Sequence, residues 1–243
     1  MTASAGKPLA GRTALVTGAS KGIGAAIATV LSTAGARVAL LARGEAGLRE
    51  VAAGLGGNAV AIQCDVTSDS SVAQAARRFR SEFGGSPDII VNNAGLFQIK
   101  PIASLSADEF SSTMQTNLVA PFLIVREFLP AMYQRKSGDV VTIGSSADRN
   151  IFPGNGAYAA SKFGARALHE VLRAETRATG IRAILVSPSG VDTDLWEGIK
   201  FLDSEALPDR SMMISPSAVA AAVLYAVSQP TTVTVDELRL SRS

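Results

Sequence analysis

Thr17-Gly18-Ala19-Ser20-Lys21-Gly22-Ile23-Gly24 follows the apolar run Ala14-Leu15-Val16 and opens a stretch, 25–34, rich in alanine and aliphatics. That order reads as a strand, a tight turn and a helix. Glycines let a backbone approach a pyrophosphate, and a helix N-terminus offers unpaired N–H groups at the positive end of its dipole. Gly18, Ser20, Lys21, Gly22, Ile23 and Gly24 therefore read as a phosphate cradle. The spacing is G-x-x-x-G-x-G, not the commoner G-x-G-x-x-G, so the flanking order carries the reading as much as the glycines.

Working outward, strand and helix signals alternate to the end of the chain. Strands are marked at 13–17, 37–41, 59–63, 88–92, 139–145, 181–187 and 233–240, most of them short apolar runs without polar alternation, as parallel strands covered on both faces require. Ser68 caps a helix over 69–83, and Ser106 before Ala107-Asp108-Glu109 is a capping box. Ser215-Pro216 starts the last helix. Seven strands in this alternation predict one α/β domain over 1–243, Rossmann-like, with a doubly wound, mostly parallel sheet and helices on both faces. Ligands of such sheets bind outside the carboxyl ends of the strands. The glycine loop, Asp65, Asn92-Asn93, Ser145 and Pro188 all fall at such ends. Residues 1–11 are expected to form a flexible leader, and about 194–215 an inserted loop.

Tyr158 and Lys162 stand four apart in Ala157-Tyr158-Ala159-Ala160-Ser161-Lys162, on one face of a helix. A phenol titrates near 10, and a fixed cation beside it favours the phenolate. The pair is suited to proton exchange with a substrate oxygen, although a snorkelling lysine beside a half-buried tyrosine has the same spacing.

With both motifs in place the chain resembles the short-chain dehydrogenase/reductase family, in its classical form. Asn92-Asn93-Ala94-Gly95 ends the run Ile89-Ile90-Val91 as the family's fourth-strand motif does. Asn117 lies in a long helical stretch where the family keeps an asparagine, and Ser145 precedes Tyr158 by the family's serine-to-tyrosine interval. The resemblance implies catalysis by Ser145, Tyr158, Lys162 and Asn117. Hydride passes between nicotinamide and a carbonyl carbon, Tyr158 exchanges the proton, Ser145 (preferred to Ser146) donates to the oxygen, and Lys162 also binds the nicotinamide ribose. Asn117 holds a water leading to Lys162. Asp65-Val66 is similar to the adenine-lining pair, Asn93, Ala94 and Gly95 adjoin the cofactor, and Pro188, Ser189, Val191 and Thr193 resemble the stretch holding nicotinamide. The usual proline-glycine is Pro188-Ser189 here, with glycine one place later at Gly190, and Gly144 replaces a common serine without expected harm.

Cofactor choice follows from the end of the second strand. An acid there bonds the ribose 2′-hydroxyl of NAD, whereas a base accommodates the 2′-phosphate of NADP. The position falls on Ala42, Arg43 follows, and Lys21 resembles the second base of the family's NADP(H)-preferring subgroup, so NADP(H) is expected. The expected substrate walls are Phe97, Gln98, Ile151, Phe152 and Asn155, joined by Leu195, Trp196, Ile199, Phe201, Leu202, Met212 and Met213 from the loop. They suit a small, largely apolar ketone. The alternatives are a 3-oxoacyl-carrier-protein reductase, a 3-hydroxy acid dehydrogenase, whose ending 235–240 resembles, and a non-enzymatic NADP(H)-sensing binder. A homotetramer, otherwise a dimer, is implied through the helices bearing Asn117 and Tyr158, where Phe163, Ala167 and Leu168 cluster.

Composition closes other routes. Of 243 residues, 47% are hydrophobic and 18% charged, with net charge +2 and no basic cluster, which gives no case for nucleic acid. The apolar stretch 218–227 is too short to span a bilayer, and 1–12 lacks a signal peptide's apolar core. One cysteine, Cys64, excludes an intrachain disulfide, and a cytoplasmic location is expected. Asp192 and Asp194 lack a His or Cys cluster, so no metal is expected. His169, the single histidine, is expected to be packed or at a subunit contact.

Overall fold

The computed structural model describes residues 6–197, 199 and 209–243. Seven strands form one sheet in the order β3-β2-β1-β4-β5-β6-β7, all parallel. They are β1 (Thr13–Thr17), β2 (Arg37–Ala42), β3 (Ala59–Gln63), β4 (Ile89–Asn92), β5 (Gly138–Ile143), β6 (Ile181–Pro188) and β7 (Glu237–Leu240). Between them run α1 (Gly22–Thr33), α2 (Glu45–Gly54), α3 (Asp69–Phe83), α4 (Ala107–Met114), α5 (Ala120–Arg135), α6 (Gly156–Glu175) and α7 (Pro216–Val227).

Alternate strand residues face opposite helical layers. Val16, Val91, Val141 and Val186 pack with Ile27, Leu31 and Val223 of α1 and α7, whereas Leu15, Ile90 and Val140 pack with Phe79, Phe128 and Leu172 of α3, α5 and α6. Both faces are therefore dry, which explains the unbroken apolar runs. The chain winds outward in both directions from β1 and β4, and a crevice opens above their carboxyl ends.

Two expectations change here. The leader is not loose over Lys7 to Gly11: Leu9 is buried, and its N–H donates to Ala34 O at 2.9 Å. Its side chain belongs to the α1–α7 core, so the turn is held by apolar burial. The last strand is also shorter than 233–240. Arg182 donates to Val233 O at 3.0 Å, so a guanidinium takes a carbonyl that a ladder would have used.

Candidate active site

The crevice is a cleft of about 500 Å³ lined by the ends of β1, β2, β4, β5 and β6. At one end lies the glycine loop. Gly24 is required by close approach, since a Cβ there would stand 2.2 Å from Gly18 O. Gly18 has φ +65° against the Ala94 backbone, a left-handed conformation that glycine adopts without strain. Thr17 Oγ1 accepts from the N–H groups of Asn93 and Ala94 at 3.0 Å, and Asn93 Nδ2 donates to Thr17 O and Gly18 O. The Asn93 amide thus turns toward the loop it supports. α1 begins with no side-chain cap and no acid in its first turn, whereas serines cap α3, α4 and α7. Its free N–H groups, beside a loop in which Gly18 and Gly24 leave no room for a Cβ, fit a pyrophosphate.

Ala42, Arg43, Asp65 and Val66 line the same end. Bonds from the Thr67 hydroxyl and amide, and then the Arg43 charge, hold the Asp65 carboxyl below its ordinary value. Lys21 Nζ, well exposed, lies 3.5 Å from Asp194 Oδ2. Pro188, Ser189, Val191 and Thr193 also line the cleft. Neither Ser189 nor Gly190 has positive φ, so serine in the usual glycine place carries no backbone strain. Ser189 N donates to Leu240 O at 2.8 Å.

At the other end Ser145, Tyr158 and Lys162 come together. β5 delivers Ser145 to a tight turn in which its Oγ accepts from Ala147 N at 3.2 Å. Tyr158 and Lys162 sit on adjacent turns of α6, and Lys162 Nζ donates to Ile143 O at 3.0 Å. The expected lowering of the Tyr158 pKa by Lys162 does not occur in this state. Burial raises the phenol above its ordinary value, a hydrogen bond with Ser145 opposes this, and Asp148 adds to the rise. The reason is geometric: Lys162 Nζ lies 5.7 Å from the ring centroid and is bound to the β5 carbonyl. Burial lowers Lys162 itself to about 8, with Asp148 opposing.

Asn117 is on a π-turn, Gln115–Val119, between α4 and α5. Its Oδ1 accepts from Leu96 N at 2.7 Å, and its Nδ2 donates to Leu96 O and to Ser161 Oγ at 2.8 and 2.9 Å. Ser161 in turn donates to Tyr158 O at 2.7 Å. The side chain expected to hold a water is committed to protein, tying the loop after β4 to the first turns of α6.

Asp148 was not legible as a site residue. It is fully buried, accepts from Ser187 Oγ and Arg149 Nε at 2.6 Å each, and closes the turn carrying Ser145. Arg149 continues to Glu237 on β7. Gly144 is not an indifferent replacement: a Cβ there would lie 2.6 Å from Ser187 Oγ and 2.8 Å from Asp148 Oδ2, so glycine makes room for this buried pair. The available signal was a carboxylate three residues after Ser145, followed by arginine.

Of the expected substrate walls, Phe97, Phe152, Leu195 and Trp196 line the cleft and Asn155, Gln98, Ile151, Ile199, Met212 and Met213 do not. Asn155 is buried behind Phe152, its Oδ1 accepting from Phe152 N. Gln98 is pinned to Glu109 O and Thr113 on α4, and Ile151 points to solvent. Phe201 and Leu202 lie outside the described residues. His169 is buried, Nδ1 on Thr142 Oγ1 at 3.0 Å, and burial lowers its pKa to about 4. Among the described residues there is no cluster of metal-ligating side chains, and no helix is long and apolar enough to cross a membrane.

The short chain dehydrogenase family matches residues 12–201. The chain belongs to that family. As a short-chain dehydrogenase/reductase it is an oxidoreductase acting on an alcohol or carbonyl group. It is 37% identical over 227 residues to a D-threitol dehydrogenase of Mycolicibacterium smegmatis, covering 90% of this chain and 87% of that protein. It is also 37% identical over 239 residues to a glycine betaine reductase of Emericella nidulans, covering 95% of this chain but only 19% of that much longer protein. Among solved structures it is similar to a metagenomic short-chain oxidoreductase in complex with NADP, at 33% identity and TM-score 0.84 over 97% of this chain and 99% of that one.

Proposed function

We propose that this dehydrogenase is an NADP(H)-dependent ketoreductase that interconverts a small, largely apolar ketone and its secondary alcohol. The observation that carries the reading is the convergence of Ser145, Tyr158 and Lys162 in one cleft with the glycine cradle, Lys21 and Arg43. When bound, a reduced nicotinamide would supply the hydride that the carbonyl carbon takes up. Tyr158 gives the proton to the carbonyl oxygen, and its raised pKa keeps the phenol protonated beforehand. Ser145 donates to that oxygen as negative charge grows on it. The Lys162 ammonium stabilises the phenolate that Tyr158 becomes, and it serves the nicotinamide ribose as the resemblance implies. Asn117 is assigned a positioning role, through its ties to Leu96 and Ser161. A π-turn breaks the regular helical ladder, so a water leading to Lys162 would rest on backbone there, not on the Asn117 amide.

NADP(H) preference is supported by Ala42 in place of an acid, by Arg43 and Lys21 at the cleft, and by the NADP in the similar structure. An apolar substrate is supported by Phe97, Phe152, Leu195 and Trp196. A homotetramer, or failing that a dimer, is supported by Phe110, Phe122, Phe163 and Val171, large apolar side chains left at 40–53% exposure on α4, α5 and α6. The test is loss of NADPH absorbance with ketones, keto acids and β-keto esters, repeated with NADH. Ketone-dependent oxidation favouring NADPH is expected. Tight NADPH binding with no turnover on any carbonyl would support the sensing binder instead.

A further inference from the structure

Three aromatic rings from three separate elements meet at the reacting end of the cleft. Trp196 stands on the short turn after β6, and its Nε1–H donates to Val191 O at 2.9 Å. A Cβ added at Gly190 would meet the six-membered ring of this indole at 3.7 Å and Met213 at 3.5 Å. The displaced glycine therefore sits beside the indole. Trp196 meets Phe97 edge-to-face, 5.0 Å between centroids at 67°, and Phe97 meets Tyr158 at 4.7 Å and 75°. Such arrangements are the favoured aromatic geometry. They leave a continuous apolar wall that ends on the Tyr158 ring, to whose hydroxyl the proton transfer is assigned. Phe152 and Leu195 line the same cleft at 41% and 43% exposure, an open apolar surface at its mouth.

The charges of the cleft lie elsewhere. Lys21, Arg43 and Asp65 belong to the cradle end, Asp194 is paired with Lys21, and Lys162 is bound to Ile143 O. Among the described residues, the polar side chains that line the cleft away from the cradle, beyond Ser145 and Tyr158, are the hydroxyls of Ser146, Ser189, Thr116 and Thr193, the last already accepting from Leu195 N. A polyhydroxylated substrate laid against these rings would strand hydroxyls taken from water, at a cost of about tenfold or more in kcat/KM for each. A flat apolar substituent meets no such loss and gains from its own burial.

We propose that the substrate is a ketone whose larger substituent is flat and apolar, an aryl ketone in chemical class, and that Trp196 and Phe97 are its specificity-determining residues. This rests on the ketoreductase reading above. Trp196 anchors the wall, while Phe97 transmits its position to Tyr158.

The experiment compares kcat/KM for acetophenone and for the four-carbon ketose erythrulose, at one NADPH concentration, in the unaltered protein and in Trp196→Ala. NADPH binding by fluorescence and thermal unfolding are followed in parallel, and Trp196→Phe serves as a second variant that keeps an aromatic ring. The unaltered protein is expected to prefer acetophenone by about 100-fold, as the two hydroxyls on the larger substituent of erythrulose imply when stranded against the wall. Trp196→Ala should cut that preference about tenfold or more, chiefly through KM for acetophenone, and Trp196→Phe should keep most of it. Equal or better use of erythrulose would overturn this inference and leave the ketoreductase reading standing. So would an equal loss for both substrates in a Trp196→Ala protein that stays folded and binds NADPH. Reduction of neither ketone by the unaltered protein, with NADPH bound, would overturn both.

Discussion

At Lys162 function and stability oppose one another. Burial lowers its pKa from 10.5 to about 8, so the folded protein holds this proton less tightly than the unfolded chain. Folding stability must then rise with pH between about 8 and 10.5, and below 8 the buried ammonium is a standing cost. The shift corresponds to roughly 3 kcal/mol, against about 1 kcal/mol for the bond to Ile143 that a variant would lose. Lys162→Met should therefore abolish reduction yet raise unfolding stability at pH 7 by on the order of 1–2 kcal/mol, a Tm gain of about 2–8 °C. Calorimetry showing a lower Tm would contradict this. The same titration bears on catalysis. Above pH 8 the ammonium is lost, so kcat/KM for reduction should fall. Asp148 holds Lys162 upward, so Asp148→Asn should move that alkaline limb to lower pH, and an unmoved limb would remove Asp148 from the electrostatics of the site. Asp148 was hidden in the sequence because its partner, Ser187, is 39 positions away, and nothing local marks a carboxylate as buried. The Ser145, Tyr158 and Lys162 set was legible because spacing on one helix and at one strand end is local information.

At the scale of elements, β1, β3 and α3 follow their sequence signals to the residue, since apolar runs and serine caps act within a few positions. The capping box at Ser106 forms as read. The π-turn at Asn117 was not legible: it is held by Leu96 and Ser161, contacts that only the assembled fold supplies. The shortened β7 has the same kind of cause in Arg182 and Val233. Cofactor choice belongs to this scale, because it depends on where β2 ends and α1 begins. A guanidinium–phosphate contact is charge-assisted and contributes roughly 1.5–3 kcal/mol. Arg43→Ala should thus raise KM for NADPH by about 10- to 100-fold with little change for NADH, and Ala42→Asp should turn the preference toward NADH. Steady-state kinetics with both cofactors checks this, and equal losses for the two would count against a 2′-phosphate contact at Arg43.

For the whole molecule, a doubly wound parallel sheet was readable because strand and helix signals alternate along the chain, most strands as apolar runs, so no single misplaced boundary alters the topology. Assembly is less legible, since an exposed apolar face has meaning only once burial is known. Phe110, Phe122, Phe163 and Val171 remain at 40–53% exposure. Light scattering is expected to show a tetramer, or a dimer, at micromolar concentration, and Phe163→Glu should dissociate it. A monomer in the unaltered protein would refute that assembly. The central claim joins these scales: one cleft, built by strand ends, in which Tyr158 protonates a carbonyl oxygen. Its most direct test is kcat for NADPH-dependent ketone reduction by Tyr158→Phe, with NADPH affinity measured on the same sample. Removing a positioned proton donor costs on the order of 10²–10⁴-fold, so a loss of that size with cofactor affinity retained is expected, and turnover close to that of the unaltered protein would contradict the assignment.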